Sequence, residues 1–178
     1  NSGKTLFASG VARLWSEGYS KLEDAFKQFN DTLTRNPFCF ADERLPASDT
    51  IIDDLREFIG TKTRPLSRKF LNTAQLDGCA RVYIAANNDT LLVNAKASVT
   101  QDDVEALAQR ILYIDHGSAP TEMLERMRVE RGPDYVDTFR KHDRIAKHLL
   151  WMSMHRKVVL ESRFGVLGVS PEFHEQLI

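Results

Sequence analysis

Cysteine is scarce in this chain of 178 residues, which contains only Cys39 and Cys79. Two cysteines are too few for the disulfide framework of a small secreted domain. Both lie in apolar runs, so we expect them to be buried thiols of a protein from a reducing compartment. The five histidines have no metal-ligand spacing, and neither cysteine has a partner nearby in the sequence. A zinc site is therefore not expected.

Long apolar runs and an excess of charge are missing as well. The longest uncharged apolar stretches, such as Val82–Ala86 and Phe164–Val169, are far shorter than the roughly 18 residues of a membrane helix. The first residues lack the basic region and apolar core of a signal peptide. The formal net charge is −1, so nucleic-acid binding would need a local basic patch. These absences predict a cytoplasmic protein without a membrane partner.

The overall composition is that of an ordinary globular domain. Hydrophobic residues make up 42% of the chain and charged residues 28%, which argues against disorder and against a coiled-coil rod. Glycine and proline are scattered, and there is no internal repeat, low-complexity tract or linker-like stretch. No Gly-x-Ser-x-Gly motif is present, so acyl-transfer hydrolase chemistry has no support. A single compact unit is predicted.

Apolar spacing divides the chain into alternating helices and strands. Two apolar runs, Pro37–Ala41 and Arg81–Ala86, are continuous, which is typical of buried parallel strands. Helices precede, separate and follow them, which predicts an α/β fold: a parallel sheet flanked by helices, with a mainly helical C-terminal part. The helices are predicted over Lys4–Ser16, Leu22–Phe29, Ser48–Gly60, Thr100–Ile111, Pro120–Arg131 and Asp143–Arg156, and a further short strand over Phe164–Val169.

The first motif with chemical content is Gly3-Lys4-Thr5 at the start of a predicted helix, the back half of a Walker A loop. Backbone N–H groups at Ser2, Gly3, Lys4 and Thr5 and the helix dipole would face a phosphate. Lys4 adds a positive charge for the β and γ oxygens, and the Thr5 hydroxyl can ligate Mg²⁺. Taken alone, the tripeptide favours an ordinary helix start with an exposed lysine.

Polar side chains follow each of the two apolar strands. Asp42 and Glu43 end the first strand at the carboxyl edge, where open α/β sheets bind ligands. Asp42 can hold the Mg²⁺ shell while Glu43 polarises an attacking water. Asn87 ends the second strand and can hydrogen-bond the γ-phosphate or that water. Asp42-Glu43 and Asn87-Asn88 are also common turn residues. The order of the three motifs along the chain nevertheless favours an ATPase that binds ATP and Mg²⁺.

A basic segment separates the two strands. Residues 58–76 contain no acid, whereas residues 42–57 carry six acids and two arginines. Cations on a protruding loop could contact nucleic-acid phosphates with little sequence preference. The other interpretation is a solvated cationic loop that pairs with the acidic helix before it. Phe70 is the one obvious aromatic for stacking, and the candidate nucleic-acid contacts are Lys62, Arg64, Arg68 and Lys69.

A succession of motifs covers most of the chain from residue 3 to about residue 168. It comprises Gly3-Lys4-Thr5, Phe40–Glu43, Gly60–Phe70, Val82–Asn87, Asp103–Ile114, His148–Trp151 and Ser162–Gly165. In this order and spacing it resembles superfamily-three helicases, and most closely the ATPase domain of phage and plasmid primase-helicases. The spacing of the four leading motifs is more specific than any one of them.

The resemblance implies a P-loop NTPase of the AAA+ type that couples MgATP hydrolysis to translocation on single-stranded DNA. It implies a homo-oligomer, commonly a hexameric ring, in the cytoplasm of a bacterium or a phage-infected host, with a primase or other replication domain upstream. Glu43 would be the catalytic base, Asn87 the polar sensor, and Arg110 an arginine finger that reaches the neighbour's site. The basic segment would be a pore loop or hairpin that grips DNA.

The chain departs from this pattern at its start, where the first Walker A glycine and the strand before it are not found. We expect the sequence to be an excerpt of a longer protein, and a crippled site is the alternative. Residues 1–118 would form the P-loop ATPase core, truncated at its N-terminus, and residues 119–178 its helical C-terminal extension. Two other functions stay open: a nucleic-acid-binding or assembly module with a non-hydrolysing nucleotide site, and a P-loop ATPase of another DNA process.

Overall fold

Parallel strands form the centre of the fold in the computed structural model, which describes residues 3–46, 48, 50–78, 80–87, 111, 117–141 and 143–156. The strands are β1 (Ser20–Lys21), β2 (Phe38–Asp42), β3 (Thr63–Leu66), β4 (Ala74–Asp77) and β5 (Arg81–Ala85). The helices are α1 (Lys4–Ala12), α2 (Leu22–Ala25), α3 (Thr32–Arg35), α4 (Ile51–Gly60), α5 (Ala119–Arg131), α6 (Asp137–Lys141) and α7 (Arg144–His155). A parallel sheet in the order β1–β2–β5 confirms the predicted α/β architecture.

Strand β2 lies in the middle of this sheet and is covered on both faces. Successive side chains of a strand point to opposite faces. Phe38 and Phe40 therefore pack with α1, while Cys39 and Ala41 pack with α2, α3 and α4. All four residues are buried. The continuous apolar run in the sequence is thus explained by a strand that buries both of its faces.

Helix α1 is shorter than predicted, since it ends at Ala12 instead of Ser16. After it the chain turns, and Trp15 stacks on Phe38 at the start of β2, with ring centroids 6.0 Å apart. The guanidinium of Arg81, at the start of β5, lies 4.6 Å from the Trp15 ring centroid. We attribute the early helix end to this aromatic packing at the amino end of the sheet.

The predicted helix over Leu22–Phe29 is also cut short and stops at Ala25. Phe26 leaves the helix and packs against Phe58 of α4, with ring centroids 5.3 Å apart. Helices α4, α5 and α7 match their predicted positions within a few residues at each end. The predicted helix over Thr100–Ile111, apart from Ile111, and the predicted strand over Phe164–Val169 lie outside the described residues.

The C-terminal helices pack directly on α1. At Gly10 an added Cβ atom would lie 2.5 Å from the Cβ atom of Ile145 in α7, so only glycine permits this approach. Arg13 donates a hydrogen bond to Asp143, with 2.6 Å between Nε and Oδ1. Two neighbouring contacts therefore attach the start of α7 to the end of α1.

The basic segment contains an antiparallel hairpin of β3 and β4, which pair from Thr63 with Asp77 to Leu66 with Ala74. Reasoning from the residues predicted no strands here. The inward positions of β3 are Arg64 and Leu66, so a charged residue interrupts the period-two apolar pattern that predicts a strand. Pro65 further lowers the strand propensity of the run.

Candidate nucleotide site

The candidate site lies at the carboxyl edge of the parallel sheet. Strands β2 and β5 pair in parallel with Asp42 opposite Ala85, so the residues that follow both strands emerge together. The backbone N–H of Glu43 donates to the carbonyl of Ala85 at 2.7 Å, which extends the pairing beyond Asp42. Ligands of open α/β sheets bind at this edge.

The start of α1 meets this edge. Gly3 precedes the helix in the left-handed conformation, with φ of 76°, and its carbonyl accepts a hydrogen bond from the N–H of Phe7 at 2.9 Å. Lys4, the first helical residue, donates from Nζ to the carbonyl of Ala86 at 2.8 Å. The same Nζ donates to Oδ1 of Asn87. The lysine of the Gly-Lys-Thr motif thus reaches the end of β5.

Asn87 joins the lysine to the acid. Its Oδ1 accepts from Lys4 and its Nδ2 donates to Oε1 of Glu43. This amide orientation is the one that electrostatics favours, because the amide oxygen faces an ammonium and the amide nitrogen a carboxylate. The side chains of Lys4, Asn87 and Glu43 therefore form one continuous chain of hydrogen bonds, which we call the Lys4–Asn87–Glu43 relay.

Glu43 has an uncommon backbone conformation, with φ of 60°. A residue with a Cβ atom pays about 1–2 kcal/mol in the left-handed region. Such strain is concentrated at functional sites, where the surrounding structure holds it in place. The strain at Glu43 turns the chain as it leaves β2 and accompanies the contact of the Glu43 carboxylate with Asn87.

The donor set at this edge fits a magnesium nucleotide. The first N–H groups of a helix have no intrahelical partner and suit an anion, and Lys4 supplies a mobile positive charge. Thr5 and Asp42 offer hydroxyl and carboxylate oxygens, the ligand type that Mg²⁺ prefers. Asp42 is exposed and Thr5 is partly buried. Phosphate oxygens and water would have to complete the coordination of the metal.

Three sequence-predicted positions cannot be placed at the site. Ser2, Arg110 and Asn88 lie outside the described residues. Asn87, which ends the apolar run, is the asparagine whose contacts the structure describes. The predicted sensor role of Asn87 and the predicted finger role of Arg110 stay predictions.

Arg64 requires a correction to the set of candidate nucleic-acid contacts. Its side chain is buried, with 7% of the residue exposed. The guanidinium donates to the carbonyls of Phe58 at 3.0 Å, Thr61 at 2.5 Å and Gly78 at 2.8 Å. It also lies 4.9 Å from the centroid of the Phe58 ring. Arg64 therefore attaches the base of the hairpin to the end of α4 and is not presented to a nucleic acid.

The other basic residues of the segment are exposed and lie at two places. Lys62 lies beside the base of the hairpin, where its carbonyl accepts from the N–H of Gly78 at 2.6 Å. Arg68 and Lys69 lie in the loop that connects β3 to β4. Of the four predicted cations, these two are the ones that the hairpin presents at its tip.

Two contributors to the site were not predicted. The carbonyl of Ala86 accepts from Lys4, and no side-chain pattern identifies a backbone acceptor. Leu124 of α5 lies so close to Gly3 that an added Cβ atom on Gly3 would be 2.8 Å from its Cδ1 atom. This contact joins residues far apart in the chain, so local patterns carry no signal for it.

No protein-family model, curated protein or solved structure matches the chain. Within the described ranges, no helix combines the length and the apolar character needed to cross a bilayer. In the same part of the chain, His, Cys, Asp and Glu side chains form no group of three or more that could hold a metal ion. We infer a function from the Lys4–Asn87–Glu43 relay.

Proposed function

We propose that this chain is the ATPase core of a DNA helicase of the superfamily-three type, which uses MgATP hydrolysis to move along single-stranded DNA. One observation carries the proposal: the Lys4–Asn87–Glu43 relay joins a helix start to the carboxyl ends of two parallel strands. A phosphate-binding lysine, a polar amide and a carboxylate are the groups that phosphoryl transfer to water requires.

Each side chain has a role that its position supports. Lys4 and the first N–H groups of α1 bind the phosphates, and phosphate oxygens replace Ala86 and Asn87 as acceptors for Lys4. Thr5 and Asp42 would hold Mg²⁺, which would supply positive charge next to the phosphates. Glu43 accepts the proton of the attacking water, and Asn87 orients that water.

The remaining parts of the proposal rest on the resemblance to primase-helicases. Subunits form a ring, commonly a hexamer, and Arg110 acts at the site of the neighbouring subunit. Arg68 and Lys69 at the hairpin tip, with Lys62 at its base, contact the phosphates of the single strand. A primase or another replication domain lies upstream in the full-length protein.

The test compares Glu43→Gln with Glu130→Gln in the full-length protein. Glu130 is an exposed residue of α5 and serves as the matched control for the loss of one carboxylate. Loss of a general base slows catalysis by about 10²–10⁴-fold, so we expect a fall of this size in DNA-stimulated ATP hydrolysis for Glu43→Gln. Binding of a fluorescent ATP analogue is expected to persist in both variants.

Equal hydrolysis by the wild type and Glu43→Gln would remove the carboxylate from the mechanism. A wild-type protein that binds the nucleotide without hydrolysing it would favour the binding or assembly module instead. Titration with the fluorescent ATP analogue measures nucleotide binding, and a phosphate-release assay measures hydrolysis, so the two measurements distinguish these outcomes.

A further inference from the structure

The loop at the tip of the β3–β4 hairpin carries an aromatic ring that the fold does not use. Phe70 is 91% exposed, more than any other large hydrophobic residue of the described chain, and the adjacent Leu71 is 60% exposed. Burying a phenylalanine side chain normally stabilises a folded protein. The exposed Phe70 ring does not stabilise the hairpin by burial, so it is available to contact another molecule.

The backbone beneath the ring is a turn that would suit glycine better than phenylalanine. The N–H of Leu71 donates to the carbonyl of Arg68 at 3.2 Å, which places Lys69 and Phe70 at the two central positions. Phe70 has φ of 62°, and a positive φ at the second central position normally selects glycine or asparagine. An exposed phenylalanine here costs backbone energy and adds no packing to the hairpin.

The tip is held in place from outside the hairpin by Asn30. The side-chain Oδ1 of Asn30 accepts from the N–H of Ser67 at 2.9 Å, and its backbone N–H donates to the carbonyl of Ser67 at 3.2 Å. Its Nδ2 also donates to the carbonyl of Pro65 at 3.3 Å. The start of the loop is therefore fixed to the body of the protein, and the ring is presented on a supported turn.

The charges around the ring select the kind of partner. Lys69 Nζ lies 5.1 Å from the centroid of the Phe70 ring, and Arg68 is exposed beside it. Single-stranded nucleic acid offers a negative phosphate and a flat base at every step, and proteins bind it with cations that follow the backbone and rings that stack on bases. The tip of the hairpin combines both groups within three consecutive residues, Arg68, Lys69 and Phe70.

We infer that Phe70 stacks on an unpaired base of the strand whose phosphates Arg68 and Lys69 contact. This inference rests on the proposed function, since it assigns the hairpin a single-stranded nucleic acid as its partner. Every base has a π face, so the contact tolerates any sequence. The ring supplies a contact to the base that the two cations cannot supply.

The test measures binding to two strands of equal phosphate charge. Fluorescence anisotropy follows the full-length protein on an oligothymidylate and on a strand of the same length made of abasic sites. Stacking of one base on an aromatic ring contributes roughly five-fold or more to affinity. We expect Phe70→Gly to weaken binding to oligothymidylate by at least about five-fold and to leave binding to the abasic strand unchanged.

Three further variants separate stacking from other effects. Glycine suits the positive φ at this position, so Phe70→Gly preserves the turn and its effect is not one of misfolding. Phe70→Trp retains a ring and is expected to keep the preference for oligothymidylate. Leu71→Ala removes a neighbouring apolar side chain without a π face and should leave both affinities unchanged. The double substitution Arg68→Ala with Lys69→Ala should weaken binding to both strands by the same factor and reduce the salt dependence of binding.

The outcomes distinguish this inference from the proposed function. If the wild type binds neither strand, the proposed function fails. If the wild type binds both strands and Phe70→Gly changes neither affinity, the stacking role is overturned while DNA binding stands. Equal loss of affinity for both strands in Phe70→Gly would also overturn the stacking role, because the effect would then not depend on the presence of a base.

Discussion

Asn87 holds the position on which the candidate site depends most. Its neutral amide lies between the Lys4 ammonium and the Glu43 carboxylate and satisfies both. A carboxylate in its place would attract Lys4 and repel Glu43, and an apolar residue would leave both without this contact. The amide can release both partners without a change of charge, which suits the proposed site, where a phosphate would compete for the lysine.

Cys39 is the residue for which a pH dependence is expected. It is fully buried in β2, and this burial raises the pKa of its thiol from 9.0 to about 12, although the charge of Arg64 acts in the opposite direction. The raised pKa means that the folded chain keeps the thiol protonated where the unfolded chain loses the proton. Its contribution to stability is therefore complete below pH 9 and is lost as the pH rises towards about 12.

We expect iodoacetamide at pH 9.0, the ordinary pKa of the thiol, to leave Cys39 unlabelled in the native protein. The same reagent should label it fully after unfolding in guanidinium, because the thiolate is the reactive form. Peptide mass spectrometry resolves this site from the other cysteine. Labelling of native Cys39 at the rate seen in the unfolded chain would contradict its burial.

Among the elements, α1 contributes both to the site and to the core. Its first turn carries Lys4, and its buried positions are occupied by small residues such as Ala8, Gly10 and Ala12. Small residues let α1 lie close to the sheet on one side and to α7 on the other. The position of Lys4 is therefore coupled to the packing of a helix about 140 residues later.

Gly10→Ala tests this close packing. Alanine stabilises a helix by about 1 kcal/mol relative to glycine, but the added Cβ atom would lie 2.5 Å from Ile145, and overpacking costs typically 1–3 kcal/mol. We expect a net loss of stability on the order of 1 kcal/mol in urea unfolding. Gly60→Ala is the matched control, because Gly60 is also helical and has no atom within 4 Å of the added Cβ.

Gly60→Ala is expected to be neutral or stabilising. If both substitutions raise the free energy of unfolding alike, α1 and α7 are not in the close contact described here. Nucleotide binding by Gly10→Ala shows in addition whether a shift of α1 also changes the position of Lys4.

At the scale of the whole molecule, the proposed ring divides each active site between two subunits. Lys4 and Glu43 would come from one subunit and Arg110 from the next. Only the first of these two halves lies within the described residues. A functional test of the second half must therefore use complementation between subunits.

Mixing Lys4→Ala with Arg110→Ala provides this complementation. Each variant alone lacks one half of every site, so we expect little hydrolysis from either. In mixed rings some interfaces combine an intact Lys4 with an intact Arg110, and ATP hydrolysis should rise above that of both parent variants. No recovery at any mixing ratio, with ring assembly verified by light scattering, would place Arg110 outside the neighbour's site.

Local patterns in the sequence determined the strands β2 and β5 and the helices α4, α5 and α7. Apolar periodicity and continuous apolar runs depend on neighbouring residues alone, so they are visible without a fold. They also placed Lys4 at the start of a helix and Glu43 and Asn87 just after two strands. Parallel strands bring the residues that follow them to one edge of the sheet. That these three side chains touch follows from the pairing of Asp42 with Ala85 and the position of α1.

Only the tertiary structure decided which basic residues of the hairpin are exposed. In the sequence Arg64 and Arg68 are equivalent cations of one acid-free segment. In the fold, Arg64 donates to three carbonyls and is buried, while Arg68 lies exposed at the tip. The packing of Gly10 on Ile145 is likewise invisible in the sequence, because burial and long-range contacts depend on which distant segments the folded chain brings together.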